Sequence, residues 1–509
     1  MRLKRLSAGC LAALLLWALM PWPAGRAYPG IDQSKTFLFS ENATQITIPD
    51  TYKLYKTITV ADFEGNVAPE PQDLFVARDG RIYVLDMSGG RVLIYSPDFR
   101  LQKIIDAFVL QDGSETKLNK PEGLFVTEDG VIYIADTKNQ RILKLDGDGR
   151  VLFITEKPAT FRGTSVETFY PTKVVADSSG RLSVVARNIN MGLLQFDAAG
   201  NFTGYTGAPK VKVNVITRLW KQFSTKEQKA KMEQFVPTEY SNISIDKAGF
   251  IYGCISSIAQ ADAVREYHDR ANPGDVTPIK KLNSMGNDVL NRNGKNSPLG
   301  NLDFTVANSV SRMIDVALGP AGSYTLLDNS KNLLYTYSDE GVLLHVFGGS
   351  GKSKESFERP VAIDYQGSNI LVLDALLSQI MVFVPTEYCQ TVLMAITAEY
   401  NGDFEAAYQK WGDIARMNAN FGYAYVGLGK IRFEDGKYEE AMEYFQYAGN
   451  RKNYSKAKEK VRQAYMTQAF PVLFLLLAAV IAVLFVTGTV KKVRGYFRKG
   501  VKHGHETNS

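Results

Sequence analysis

Short apolar runs separated by Asp-Gly or Gly-rich turns dominate the first three quarters of the chain. The clearest stretch is 121–150, PEGLFVTEDGVIYIADTKNQRILKLDGDGR, with turns at Asp129-Gly130 and Gly147–Gly149. β-Branched and aromatic runs joined by such turns are typical of hairpins, because Gly accepts the positive φ that these turns require. The pattern predicts a four-stranded antiparallel meander whose fourth strand is Val151–Thr155.

The same unit recurs along the chain. Residues 71–100, PQDLFVARDGRIYVLDMSGGRVLIYSPDFR, repeat the pattern of residues 121–150. Because a single meander cannot bury both of its faces, recurring copies favour radial stacking, which predicts a mainly β fold with a six-bladed propeller over residues 46–384. Weaker copies start at Pro171, Tyr240, Ser311 and Pro360.

The order of Pro, apolar strand, Asp-Gly, IYVLD or IYIAD, and Arg resembles the NHL repeat of six-bladed NHL propellers. The resemblance is strongest in blades 1 and 2, and it implies interaction rather than chemistry. Blade 6 shows only three strands, so we expect residues 52–60 to supply its fourth strand. That pairing would close the ring and leave no open edge.

The N-terminus is typical of an exported protein. Basic residues precede the apolar run Leu11–Met20, and the small-residue sequence Gly25-Arg26-Ala27 follows it. This order predicts a bacterial-style signal peptide over residues 1–27, cut after Ala27, with an uncleaved anchor as the alternative.

The formal charge of +6 is unevenly distributed. Basic residues are concentrated in the leader and in the tail after Val490, and the span between them is slightly acidic. A global basic field for nucleic acid is therefore excluded. Cys254 and Cys389 fit buried thiols better than a disulfide or a metal site.

After Pro385 the apolar period becomes helical. The segment starting at Gly402, GDFEAAY, recurs 34 residues later at Gly436 as GKYEEAM. This is the TPR period, and residues 386–466 resemble TPR-like helical repeats, which implies peptide or protein binding. A stiff spacer is the alternative.

Residues 469–490 carry no charged side chain and are long enough to cross a hydrocarbon layer of ~30 Å as one helix. The basic tail 491–509 follows. Together with the signal peptide, this order predicts a single-pass protein of the cell membrane. Its N-terminal domains would be extracytoplasmic and its tail cytoplasmic.

The long insertions all fall in second-to-third-strand loops or in connections between blades, which share one side of a propeller. Loops on a rigid scaffold carry function, although drift on a tolerant surface is the alternative. The insertions are Pro158–Tyr170, Gly204–Thr238, Ser256–Asp275, Asn291–Asn308 and Gly348–Glu358.

An Asp ends the second strand in four blades, and an Arg opens the third strand in two of them. Either these side chains form a ring of charges around the channel mouth, or they bond within each repeat, to the loop backbone and to each other. The candidate binding residues on this face are Asp86, Arg91, Asp136, Arg141, Arg187, Asp328, Asp374, Trp220, Arg265 and His268.

Catalytic motifs are sparse. Propeller lactonases and lyases require converging carboxylate, Asn or His ligands for a metal, whereas this chain has four His and no HxH or HExxH spacing. The sequence therefore favours a binding or scaffold protein, not an enzyme, in a membrane assembly such as a transporter. No cofactor is expected. The alternative is a metal-dependent lactonase or lyase, and a calcium site stays open.

Overall fold

A computed structural model describes residues 36–503, apart from 41–42, 159, 162–163, 166–167, 188, 190, 208–239, 269–276, 294–297, 305–309 and 352. The β-strands of these residues form a six-bladed β-propeller, followed by a helical segment. The predicted signal peptide and Trp220 lie outside the described residues.

Each blade is an antiparallel meander whose first strand lies next to the first strands of the neighbouring blades. The N-terminal strands are β1 (Phe37–Phe39), β2 (Gln45–Thr47) and β3 (Tyr52–Thr59). Blade 1 has β4 (Pro71–Val76), β5 (Ile82–Asp86), β6 (Arg91–Tyr95) and β7 (Leu101–Ile105), followed by the hairpin β8 (Phe108–Val109) and β9 (Glu115–Thr116). Blade 2 has β10 (Gly123–Val126), β11 (Ile132–Asp136), β12 (Arg141–Leu145) and β13 (Val151–Thr155), followed by β14 (Thr160–Phe161) and β15 (Thr164–Ser165).

The other blades follow the same order. Blade 3 has β16 (Tyr170–Ala176), β17 (Leu182–Arg187), β18 (Leu193–Phe196) and β19 (Phe202–Thr206). Blade 4 has β20 (Asn242–Ile245), β21 (Ile251–Cys254) and β22 (Ile279–Leu282). Blade 5 has β23 (Met313–Leu318), β24 (Tyr324–Asp328), β25 (Leu333–Tyr337) and β26 (Leu343–Gly348). Blade 6 has β27 (Pro360–Gln366), β28 (Asn369–Asp374) and β29 (Gln379–Pro385).

Strand β3 completes blade 6 from the other end of the propeller. It pairs antiparallel with β29, from Thr59 opposite Gln379 to Tyr52 opposite Pro385. The hairpin β1–β2 continues outward from β26 and widens blade 5. The ring is therefore closed by the chain segment that the sequence analysis placed there.

Apolar side chains between adjacent blades form the core of the propeller. The second strands are the most deeply buried, and every residue of β5 and of β11 is buried. One cluster joins blades 1 and 2, another joins blades 6 and 1, and a third joins blades 2 and 3. Each blade thus buries both of its faces against its neighbours, which a single meander cannot do.

Two helical hairpins follow blade 6. They consist of α2 (Glu387–Tyr400) with α3 (Phe404–Met417) and α4 (Gly422–Glu434) with α5 (Tyr438–Tyr447), and α1 (Gln260–His268) lies earlier, in blade 4. Ala407 and Ala441 are fully buried. A Cβ at Gly427 would lie 2.5 Å from Trp411, so this glycine permits the close approach of α4 to α3.

The helical hairpins dock on one face of the propeller. We name as the bottom face the side with the first-to-second and third-to-fourth turns, and as the top face the side with the other loops. Lys430 in α4 donates to Glu340 over 2.6 Å, and Glu340 lies in the third-to-fourth turn of blade 5. Helix α2 also contacts the first-to-second turn of that blade. The helices therefore lie against the bottom face.

The last helix, α6 (Arg451–His503), is continuous. It joins the end of the predicted helical repeats, residues 386–466, to the predicted apolar span, residues 469–490. Its start packs on α5 through Ala457, and Tyr465 donates to Glu439 over 2.9 Å. Beyond this contact it is long and apolar enough to cross a membrane. Pro471 removes one hydrogen bond near the start of that apolar segment.

We predict that deleting residues 36–60 lowers the melting temperature of the propeller far more than deleting residues 36–48. Both deletions remove the β1–β2 hairpin, but only the longer one removes β3. Tyr52 and Val60 are 5% and 0% exposed, and burial of such side chains stabilises by roughly 1.5–3 kcal/mol each. Equal melting temperatures for the two variants, followed by circular dichroism, would show that β3 does not hold the ring closed.

Candidate partner-binding face and central channel

The bottom face is made of short turns. Typical examples are the turns at Gly80 and Gly130, both with positive φ, which only glycine adopts without strain. The top face carries the longer connections, including helix α1. In the part of the chain that the structure describes, the longer connections therefore lie on the predicted side of the propeller.

The predicted Asp–Arg pairs of blades 1 and 2 lie at the top of their blades. Arg91 Nε donates to Asp86 over 2.9 Å, and Arg141 Nε donates to Asp136 over 2.8 Å. Both carboxylates are fully buried, and Asp136 also accepts from the backbone N–H of Asn119 over 2.7 Å. These contacts fit the second interpretation above, in which the pairs bond within the repeat.

Asp328 and Asp374 hold loops without an Arg partner among the described residues. Asp374 accepts four backbone N–H groups, from residues 358, 359, 376 and 377. Asp328 accepts from the backbone of Arg312 over 3.0 Å and from Ser330. Each carboxylate is fully buried, so its contacts order the top-face loops. A binding role for these residues stays a prediction.

The other predicted residues are more accessible. Arg187 has a side chain that is 54% exposed, and it donates to Glu122 over 2.6 Å at the channel mouth. Burial raises the pKa of Glu122, although Arg187 opposes this shift. Arg265 on α1 is 65% exposed and pairs with Asp262, while the His268 ring contacts Tyr267. The structure therefore places Arg187 and Arg265 at the surface of the top face.

A charged cluster in the central channel was missed by the sequence analysis. Lys173 on β16 of blade 3 donates to both carboxylate oxygens of Asp73 on β4 of blade 1, at 2.8 and 2.6 Å. Asn242 on β20 donates to Asp315 on β23 over 2.7 Å. All four residues are less than 10% exposed. The cluster therefore joins blade 1 to blade 3 and blade 4 to blade 5.

Carboxylates on the first strands also bind the backbone of the next blade. Asp73 accepts from Leu124 N, Asp315 from Ile363 N and Asp364 from Val76 N, each over 2.7 Å. The last of these bonds connects blade 6 to blade 1. We call Asp73, Lys173, Asn242, Asp315 and Asp364 the channel ring.

Bulges aim several of these side chains. The register between the first and second strands shifts between Pro71 and Asp73, between Pro171 and Lys173, and between Met313 and Asp315. A bulge inserts one residue and re-aims the side chain that follows it. The signal available in the sequence was a charged residue inside a first strand, as with Asp73 in β4, Lys173 in β16 and Asp315 in β23.

Burial controls the charge state of the channel ring. It raises the pKa of Asp315 to about 6, against the attraction of Lys173, and the pKa of Asp364 to about 7. Burial alone would lower the pKa of Lys173, but the carboxylates, Asp73 first, raise it. Lys173 is therefore held as a cation among carboxylates.

These residues do not fit a divalent metal. Oxygens of Asp73, Asp315 and Asp364 already accept N–H donors, and the Lys173 ammonium takes the place of a cation next to Asp73. Across the described ranges, no group of three or more His, Cys, Asp or Glu is arranged to hold a metal ion.

One repeat of the propeller has a recognisable family signature. Residues 118–145 match the NHL repeat. This span includes the second and third strands of blade 2, with the Asp136–Arg141 pair. A comparison of the sequence with curated proteins finds no match.

The solved structures that resemble this chain are distant from it in sequence. Virginiamycin B lyase from Staphylococcus aureus is 12% identical, over 65% of this chain and 99% of its own, with a TM-score of 0.39. A streptogramin B lyase is 12% identical, over 66% and 98%, also with a TM-score of 0.39. A protein of unknown function from Bacteroides thetaiotaomicron VPI-5482 is 11% identical, over 67% and 80%, with a TM-score of 0.38.

We predict that Lys173→Met lowers the free energy of unfolding by about 3–5 kcal/mol, because it leaves the Asp73 carboxylate buried without its cation. The double variant Asp73→Asn/Lys173→Met should recover part of this loss. Urea unfolding of both single variants and the double variant measures the coupling.

The matched control is the pair Arg78–Glu128, which joins two blades as well, here blades 1 and 2, over 2.7 Å. Its side chains are 66% and 61% exposed. Its coupling should be about 0–1 kcal/mol. A coupling at Asp73–Lys173 no larger than that of the control would mean that the channel pair does not hold the blades together.

Proposed function

We propose that this chain is a membrane-anchored, extracytoplasmic binding protein whose top face holds a protein partner or ligand. The observation that carries the proposal is the docking of the helical hairpins on the bottom face, just before the apolar helix. With the stem against the bottom of blades 5 and 6, the top face points away from the stem and is available to a partner.

The anchor is the apolar part of α6, from about residue 469 to residue 490. Its side chains are exposed throughout, as expected for a segment solvated by lipid rather than by protein. The basic residues after Val490 would lie in the cytoplasm, and the predicted signal peptide supports this orientation. The protein would then be an accessory subunit of a membrane assembly such as a transporter.

The helical hairpins would act as a TPR-like stem. The burial of Ala407 and Ala441 at the repeated position supports this assignment, because a small residue there permits close helix packing. The ion pair between Lys430 and Glu340, extended by Glu399, would fix the angle of the propeller on the stem.

Binding is favoured over catalysis because the channel ring is satisfied by its own contacts. The alternative is a metal-dependent lactonase- or lyase-type hydrolase. Metal analysis of the purified full-length protein separates the two functions. One tightly bound divalent ion per chain, lost on substitution of Asp315, would favour the enzyme.

We predict that reversing top-face charges, in Arg187→Glu/Arg265→Glu, reduces co-purification of the partner by at least about tenfold, equivalent to ~1.4 kcal/mol. The bottom-face control Arg78→Glu/Arg181→Glu should leave co-purification unchanged. The control is matched, because Arg78 and Arg181 have side chains that are 66% and 62% exposed and each forms one ion pair. Quantitative mass spectrometry of cross-linked membranes measures both. Loss of the partner only in the control would place binding on the opposite face.

We predict that a chain ending at Arg462 is released as a soluble protein, because the only long apolar helix among the described residues is then absent. The full chain should stay in the membrane fraction after an alkaline wash. Retention of the shortened chain, with its leader removed, would mean that another segment anchors it.

A further inference from the structure

Four large apolar side chains are exposed on two adjoining top-face connections, where blade 6 meets blade 1. Phe63, Leu376, Val67 and Leu377 are 65%, 63%, 48% and 38% exposed. They come from two short segments, residues 61–68 between β3 and β4 and residues 375–378 between β28 and β29. Both segments are top-face connections. We call these four residues the apolar patch.

The two segments form one hydrogen-bonded unit. Val60 N donates to Ser378 O over 2.8 Å, and Ser378 Oγ donates to Ala68 O over 3.0 Å. Val60 and Ala68 are fully buried at the base of the 61–68 hairpin. The base of the hairpin is thus fixed on the blade, and Phe63 is exposed because it lies at the tip.

The backbone of the tip is held by its own hydrogen bonds. Asp62 Oδ1 accepts from Asn66 N over 2.7 Å and from Glu64 N over 3.1 Å. Gly65 provides the positive φ of the turn, at +82°. The Asp62 carboxylate lies 3.5 Å from Arg91, which is itself held by Asp86. A side chain that is presented by a backbone held in this way binds with a smaller loss of backbone conformational entropy.

The charge around the patch is acidic on the hairpin side. The stretch ADFEGNVAPE, residues 61–70, contains three acidic residues and no Lys or Arg, and residues 375–378 carry no charge. Arg91 is engaged with Asp62 and Asp86. On the other side of the patch, Lys354 and Glu358 line a cleft with Leu377 and offset each other in formal charge. A complementary surface would therefore combine an apolar pocket with Lys or Arg at its border.

We propose that the apolar patch is the anchor with which this protein binds a protein partner, one that presents an apolar pocket flanked by basic residues. This inference rests on the proposed function, because it locates the contact within the top face. It also gives Arg91 and Asp86 a positioning role, since they hold the turn that presents Phe63.

The test begins with the full-length chain in its own membranes, with a photo-crosslinking phenylalanine analogue at Phe63. The matched control carries the analogue at Tyr55, which is 68% exposed on β3. We expect a cross-linked protein segment at position 63 only, and peptide mapping should identify an apolar segment with adjacent Lys or Arg. A cross-link to lipid, to a second copy of this chain or to residues 1–35 would overturn the proposal.

A synthetic peptide of the mapped segment then tests the chemistry. Its affinity for the detergent-solubilised full chain should fall at least tenfold with Phe63→Ser and at least threefold with Glu64→Lys, and should be unchanged with Tyr55→Ser. All three variants should keep the melting temperature of the unmodified chain, because the substituted side chains are exposed. Unchanged affinity with Phe63→Ser would overturn the proposal.

The variants also distinguish a failure of this inference from a failure of the proposed function on which it rests. If Arg187→Glu/Arg265→Glu removes the partner and Phe63→Ser does not, the top face binds without the apolar patch. If neither variant affects co-purification, the proposed top-face function itself is wrong.

Discussion

The pairing of β3 with β29 is the constraint on which the rest of the structure depends. An open propeller would expose the outer strand of blade 6 and leave its apolar contacts with blade 1 without a fixed geometry. Once the ring is closed, the first strands stand around one axis. The helical hairpins can then dock on one end, because α2 follows β29 directly and Thr386 bonds to the backbone of residues 50 and 51.

The channel ring reinforces this closure from the inside. Asp364 bonds the backbone of β4 across the same junction that β3 closes at the outer edge. A buried polar network of this kind adds specificity, because each carboxylate is satisfied only when the neighbouring blade is in register. Asp315 and Asp364, with raised pKa values, also make this contribution dependent on pH. The folded state then holds protons on these two carboxyl groups more tightly than the unfolded chain does. The free energy of unfolding therefore falls as the pH rises from about 4 to about 7.

The blades could be predicted from the sequence because their signals are local. Asp-Gly turns and period-2 runs identify each hairpin, and the missing fourth strand of blade 6 pointed to residues 52–60. The channel ring was missed because its contacts join residues that are far apart in the sequence. Lys173 and Asp73, for example, are 100 positions apart. Local pattern does not show which polar residue on a buried strand has a partner in another blade. For the same reason, the Asp86–Arg91 pair could be found from its spacing, but its burial could not.

The contact between Tyr465 and Glu439 fixes the distance between the helical stem and the apolar segment of α6. Tyr465 precedes the apolar segment by only four residues, which is ~6 Å of helix. The stem would therefore lie close to the lipid headgroups. The propeller would lie above the stem, at a nearly constant distance from the membrane surface. A partner that is anchored in the same bilayer and extends to the level of the top face would meet it by diffusion in two dimensions. Such confinement raises the effective concentration of both proteins, so even a weak anchor such as one aromatic side chain with its neighbours could sustain a stable association.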